Sequence, residues 1–353
     1  MDLDDTPAFT QYDPQNMLAH IEGLPEQLKR AWELGRDLPL PDWSGIERVL
    51  IAGMGGSAIG AELLSAFLSP TCPTPVVIQR NYGLPAWATG EGTLVIAASH
   101  SGNTVETLSA FEQAKESGCR LLALATGGQL AQASRANKVP LWQFEHQGQP
   151  RAAVGFSFGL LLAAFYRLGL IPDPEQDLIG AVEAMRAQQV HLRADVPAAH
   201  NPAKRMAGQL FGRWVVVVGA DILEPVARRW KDQLNELAKA WAQFEPIPEF
   251  DHNSLAGAVN PAEALERTMA LFLRADACRP ENLARLNLSK KFLMLEGLNT
   301  DFIDARGQTA LAQQWTALHL GDYVAYYLAM AYRVDPTPVE ALENLKREMR
   351  VNQ

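Results

Sequence analysis

Cysteine is scarce in this chain: three in 353 residues, at Cys72, Cys119 and Cys278. They lie far apart and in no C-x-x-C or Cys/His pattern, so neither a disulfide framework nor a zinc site is implied, and a reducing cytoplasm is the expected home. Basic charge is also in short supply. There are 31 Lys and Arg against 40 Asp and Glu, a formal net charge of −9. No segment clusters the cations, which argues against a sequence-independent nucleic-acid binder and leaves room only for a local anion site. No apolar run has the length that crosses a bilayer, and residues 1–13 are acidic and polar where a secretory leader would be basic and then apolar. The glycine-punctuated stretch from Ala152 to Leu170 reads as a buried helix. What is plentiful is apolar side chain, 48% against 20% charged, in a chain long enough for a large core and for two domains.

Two short segments stand out. Leu50-Ile-Ala-Gly-Met-Gly-Gly-Ser57 and Ser99-His-Ser-Gly-Asn-Thr104 each end an apolar run in glycine and hydroxyl residues before a helical pattern begins. Backbone N–H groups and hydroxyls thereby gather at two strand-to-helix turns, an arrangement that suits phosphate. Glycine lets the first turn approach a ligand without a Cβ in the way, and Gly102 permits the sharp bend of the second. Either turn alone matches an ordinary βα loop with capping hydroxyls; the two in one sheet point to a ligand site.

The pattern along the chain predicts a helix over 14–36, then strand 48–52, helix 57–69, strands 75–79 and 93–98, helix 104–117, strand 120–125, helix 129–136 and strand 140–144. A polar helix over 175–194 follows. The plan then restarts with helix 202–211, strand 213–218 and helix 223–239, with further strands at 242–246, 269–275 and 291–296 and helices over 311–332 and 338–349. Such alternation indicates α/β architecture with two doubly wound parallel sheets of flavodoxin-like type, an N-terminal helical arm and C-terminal helices. The expected divisions are an arm over 1–40, a first phosphate-binding domain over 41–170, a helical linker over 171–201 and a second domain over 202–353. In the second half, Gly219-Ala220-Asp221 places an acid where phosphate needs donors, so only the first half is expected to bind it. Trp142, Trp214, Trp230 and Trp241 are expected in the core.

The second turn, S-x-S-G-x-T, resembles the signature of the sugar isomerase (SIS) domain. Most of the chain resembles the bifunctional phosphoglucose/phosphomannose isomerases, a family built of two SIS domains. The likeness rests on Gly53-Met54-Gly55-Gly56-Ser57, Ser99 to Thr104, Pro150-Arg151, Asn235-Glu236, His252-Asn253, and Asp335-Pro336-Thr337-Pro338 leading to Lys346. It implies a sugar-phosphate substrate and aldose–ketose isomerisation of glucose 6-phosphate, and of mannose 6-phosphate, with fructose 6-phosphate through a cis-enediol, with no cofactor and no metal. Gly55, Gly56, Ser57, Ser99, Ser101 and Thr104 would then hold the phosphate. Glu236 would carry the proton between carbons 1 and 2, Arg151 would stabilise the enediolate, and His252 and Lys346 would open the ring. In the family the histidine comes from the neighbouring subunit, which implies a homodimer. The local pattern here is His-Asn-Ser where His-Asn-Glu is expected.

Two other readings compete. Gly53-x-Gly55-x-x-Ala58 passes the loose dinucleotide fingerprint, but the second strand ends in Gln79-Arg80 where a ribose-binding acid belongs. A non-catalytic or divergent SIS-type phosphosugar-binding protein is the alternative. In a transcriptional regulator a helix-turn-helix would precede the SIS unit, and the residues before Arg48 hold only about one good helix.

Overall fold

The computed structural model describes residues 2–351. Three N-terminal helices, α1 (Phe9–Tyr12), α2 (Met17–Glu22) and α3 (Leu24–Asp37), precede the first sheet. The single helix expected over 14–36 is thus broken at Gly23, which caps α2 and starts α3 with Pro25 in its first turn.

The first unit runs β1 (Arg48–Ala52), α4 (Gly55–Leu68), β2 (Val76–Gln79), β3 (Thr93–Ala98), α5 (Val105–Glu116), β4 (Arg120–Ala125), α6 (Gly128–Ala136) and β5 (Leu141–Gln143). Its five strands are ordered β2-β1-β3-β4-β5 and all pair in parallel, with Leu50 beside Val95 and Ile96 beside Leu122. After their opening residues, Arg48, Thr93 and Arg120, the central strands are apolar because helices cover both faces.

Two helices, α7 (Val154–Arg167) and α8 (Glu175–Gln189), lead to a second unit: α9 (Pro202–Leu210), β6 (Trp214–Ala220), α10 (Glu224–Glu236), β7 (Ala242–Ile247), α11 (Ala262–Leu265), β8 (Thr268–Arg274), α12 (Pro280–Leu295) and β9 (Asn299–Asp304). Its strand order, β7-β6-β8-β9, repeats that of the first sheet without a fifth strand. The chain closes with α13 (Ala310–Tyr332) and α14 (Glu340–Val351).

The glycines of α7 have a packing purpose. A Cβ on Gly159 would come within 2.6 Å of the Ala31 Cβ on α3, and one on Gly35 within 2.5 Å of the Ala163 Cβ on α7. Small residues let α3 lie against α7, so the arm is part of the core. On its other side α7 meets α4, where Gly60 faces Ser157. Helix α13 is buried from Leu311 through His319 and again from Gly321 through Met330. It packs on α2, α8, α9 and α10, and the Gln314 side chain donates to the Leu63 carbonyl of the first unit (3.1 Å) and the Ile222 carbonyl of the second (3.0 Å). One apolar cluster therefore contains residues of the arm, both sheets and α13.

Three sequence expectations are corrected. Residues 291–296, expected as a strand, lie largely in the last turns of α12, and the fourth strand of the second sheet is Asn299–Asp304. Phe292, Met294 and Leu295 are exposed on that helix, so their apolar run mimics a buried strand without being one. Trp142 and Trp230 are fully buried, but Trp214 and Trp241 are 42% and 73% exposed. Both stand where strands β6 and β7 begin, and with Arg213, Lys239 and Tyr332 they line a shallow cleft of about 660 Å³.

Candidate functional site

Strands β1 and β3 are hydrogen-bonded neighbours with Ala52 opposite Ala97, so the turns that follow them open side by side at the carboxyl edge of the sheet. Their helices lie at the point where strand order reverses, the usual position for a ligand on such a sheet. In the first turn Gly55 has φ +50°, a conformation that disfavours any side chain. A Cβ on Gly56 would lie 2.6 Å from the Pro150 carbonyl oxygen. Ser57 is buried on the first turn of α4, whose opening N–H groups receive no side-chain cap.

In the second turn Gly102 has φ +68°. The Ser99 and Thr104 hydroxyls are 2.8 Å apart, Gly102 N–H donates to Ser99 Oγ at 3.1 Å, and Asn103 N–H donates to Ser101 Oγ at 3.2 Å. Ser99 is buried, Thr104 half-buried and Ser101 exposed. The hydroxyls are thus fixed by the loop's own backbone. The His100 side chain is engaged elsewhere, its Nε2 meeting His146 Nδ1 at 2.9 Å.

The close approach at Gly56 brings the next element in. Arg151 follows Pro150 in a 3-10 turn, is 5% exposed, and reaches from the first unit to the second. Its Nη1 lies 3.3 Å from Glu236 Oε2, and its Nη2 donates to the carbonyls of Pro336 (2.7 Å) and Thr337 (2.6 Å). Behind it, Arg229 Nη2 donates to the Arg151 carbonyl at 3.1 Å while paired with buried Asp322 at 2.6 Å. Gln233 donates to the same carboxylate at 2.9 Å. This paired and hydrogen-bonded network places Arg151 without leaving its neighbouring charges unpartnered. Burial raises the Glu236 carboxyl above the usual range, with Arg151 opposing the rise. Three polar atoms in this region, Arg151 Nε, Gln233 Oε1 and Thr337 Oγ1, are buried with no hydrogen-bond partner among the described residues.

The structure therefore brings together Gly55, Gly56, Ser57, Ser99, Ser101, Thr104, Arg151 and, through Arg151, Glu236. It does not bring His252 to them within one chain. Glu236 ends α10 just before β7 begins, and His252 is exposed in the 3-10 turn after β7 ends. A strand of that length separates its two ends by on the order of 20 Å. Lys346 stands on an exposed stretch of α14. The chain leading to that helix is the segment Arg151 grips at Pro336 and Thr337. Among the described residues no group of three or more His, Cys, Asp or Glu side chains is placed to hold a metal ion.

Sequence reasoning missed Arg229, Asp322, Gln233 and Lys239. Asp322 carried a signal, since it interrupts the apolar run of α13 and a buried acid needs a partner.

Two units of flavodoxin-like order, with glycine and hydroxyl turns at one switch point and a charged bridge to the second unit, define the class: a double SIS-type α/β protein. Solved structures agree on the fold. A hypothetical protein from Thermus thermophilus superposes with a TM-score of 0.73 at 16% identity, covering 99% of this chain and 93% of that one. Tagatose-6-phosphate ketose/aldose isomerase from Escherichia coli does so with 0.70 at 14% identity, covering 92% and 95%. A family model described as the bacterial phospho-glucose isomerase C-terminal SIS domain matches residues 199–349. The bifunctional phosphoglucose/phosphomannose isomerase of Caldicellulosiruptor bescii is 35% identical over 337 residues, 94% of this chain and 98% of that protein. The chain belongs to the bifunctional phosphoglucose/phosphomannose isomerase family.

Proposed function

We propose that the protein is an aldose–ketose isomerase that interconverts glucose 6-phosphate, and mannose 6-phosphate, with fructose 6-phosphate through a cis-enediol. The observation that carries this reading is buried Arg151, which touches the first phosphate turn through Pro150 and pairs with Glu236 of the second unit at 3.3 Å. Substrate phosphate is held by the N–H groups around Gly55 and Gly56 and by the Ser57, Ser99, Ser101 and Thr104 hydroxyls. The sugar chain then extends toward Arg151 and Glu236.

Glu236 acts as the base that takes the proton from one carbon and returns it to the next. Its raised affinity for a proton suits a group that must both accept and release one near neutral pH. Arg151 stabilises negative charge developing on the enediolate oxygens. Ring opening uses His252 of the partner subunit, with Lys346 on the other side. The separation of His252 from Glu236 within one chain supports a homodimer with a shared site. The protein works in the cytoplasm, and its chemistry uses side chains alone, so turnover should survive exhaustive chelation.

The test is a coupled assay on fructose 6-phosphate that scores both aldose phosphates, followed by mixing Glu236→Gln with His252→Ala. Activity recovered in hybrid dimers carrying one intact site is the expected result. No product from the wild-type protein would sink the isomerase reading, and verified hybrids without activity would sink the shared site.

A further inference from the structure

Just beyond α10 the chain passes through Lys239 at φ +54°, a left-handed conformation that glycine or asparagine adopts far more readily than lysine. The side chain turns back, and Nζ donates to the Glu236 carbonyl at 2.6 Å, satisfying one of the acceptors that a helix end leaves open. An ammonium at a helix C-terminus also meets the negative end of the helix dipole. We infer that Lys239 is a positioning residue for Glu236: it locks the end of α10 and adds to the positive field that Arg151 and Arg229 set around that carboxylate.

The charges around the pair come from four elements. Arg151 in the 3-10 turn before α7 faces both groups. On α10, Asp232 and Arg229 act on Glu236. Asp335, in the segment after α13, and Glu340 on α14 act on Lys239. Burial is the largest influence on each: it raises the carboxyl and lowers the ammonium to about 8, so the two groups are driven toward one another in proton affinity. Arg151 is the cation that most opposes the burial of Glu236, followed by Arg229 and then Lys239. Only Lys239 also holds the Glu236 backbone.

This inference rests on the isomerase reading for its kinetic arm alone. Lys239→Asn keeps a residue that tolerates the left-handed backbone and removes the charge; Lys239→Arg keeps the charge. In Lys239→Asn the acid limb of kcat/KM should move up by about half a pH unit or more, while Lys239→Arg retains the wild-type limb. A merely structural role would lower activity evenly across pH and leave the limb in place, which would overturn the assignment. Independently of turnover, carboxyl-carbon NMR of Glu236, identified by the signal lost in Glu236→Gln, should titrate at higher pH in Lys239→Asn. An unmoved titration in a folded variant would also overturn the assignment. Absence of wild-type turnover would sink the isomerase reading and leave that titration to judge Lys239.

Discussion

The two sheets share a strand order but treat the turn after their first strand in opposite ways. After β1 the chain enters α4 directly, with Gly55 left-handed, no side chain capping the helix, and its N–H groups facing Ser99 to Thr104 across the switch point. After β6 the left-handed position is Asp221, a 3-10 turn intervenes, and the Asp221 carboxylate accepts from Arg279 N–H at 2.9 Å and Asn282 Nδ2 at 3.0 Å. One turn leaves donors for a ligand, and the other spends its acceptors on its own chain. The second unit instead contributes through the opposite end of its helix, where α10 delivers Glu236. Under the proposed function, a repeated unit is divided into one copy that grips and one that reacts.

That division can be tested at three depths. The largest effect is expected from Glu236→Gln, which keeps the shape of the side chain but cannot accept a proton. Turnover with both aldose phosphates and exchange of the carbon 2 proton with solvent should fall by about 10³-fold or more while substrate binding changes little. Comparable loss of binding would move Glu236 from the reacting half to the gripping half. Next, Ser101→Ala combined with Thr104→Ala removes two hydroxyls from the proposed phosphate site. It should weaken binding by about 3 kcal/mol or more, roughly a 10²-fold rise in KM, with a smaller change in kcat. An unaltered affinity for 6-phosphogluconate would remove the loop from the site. The smallest effect belongs to the second turn: Asp221→Ala should cost about 1–2 kcal/mol of stability in a denaturant titration and leave KM and kcat alone. A raised KM there would mean that both turns hold ligand.

The same contrast marks what could be read from the chain alone. Strands β1, β3 and β4 were legible to the residue because each is an apolar run that follows one polar residue and is ended by a turn. Strand β9 was not. Of its residues only Ile303 is buried, and its polar edge position leaves no alternation to detect, while the exposed Phe292, Met294 and Leu295 of the preceding helix offered a false one. The two candidate phosphate turns were visible as glycine and hydroxyl spacing because each gathers its donors from consecutive residues. Glu236 and His252 became candidates only through family resemblance, since nothing local separates them from solvated side chains. Arg229 and Asp322 lie 93 positions apart and Arg151 and Glu236 lie 85 apart, so their pairing belongs to the tertiary fold. Lys239 needed its backbone angle to be seen at all.

Helix α13 sets the mechanical character of the molecule. It touches the Ile21 carbonyl of the arm through His319 (2.8 Å), Leu63 of the first unit and Ile222 of the second through Gln314, and the Thr316 carbonyl accepts from Gln188 of α8. Two-unit enzymes often shut out water by swinging their halves about a hinge. With a buried rod pinned to both halves and to the arm, that swing would tear open the common core. A tether cut between the units should therefore leave them joined, and either half expressed alone would expose the part of the shared cluster that the other now covers.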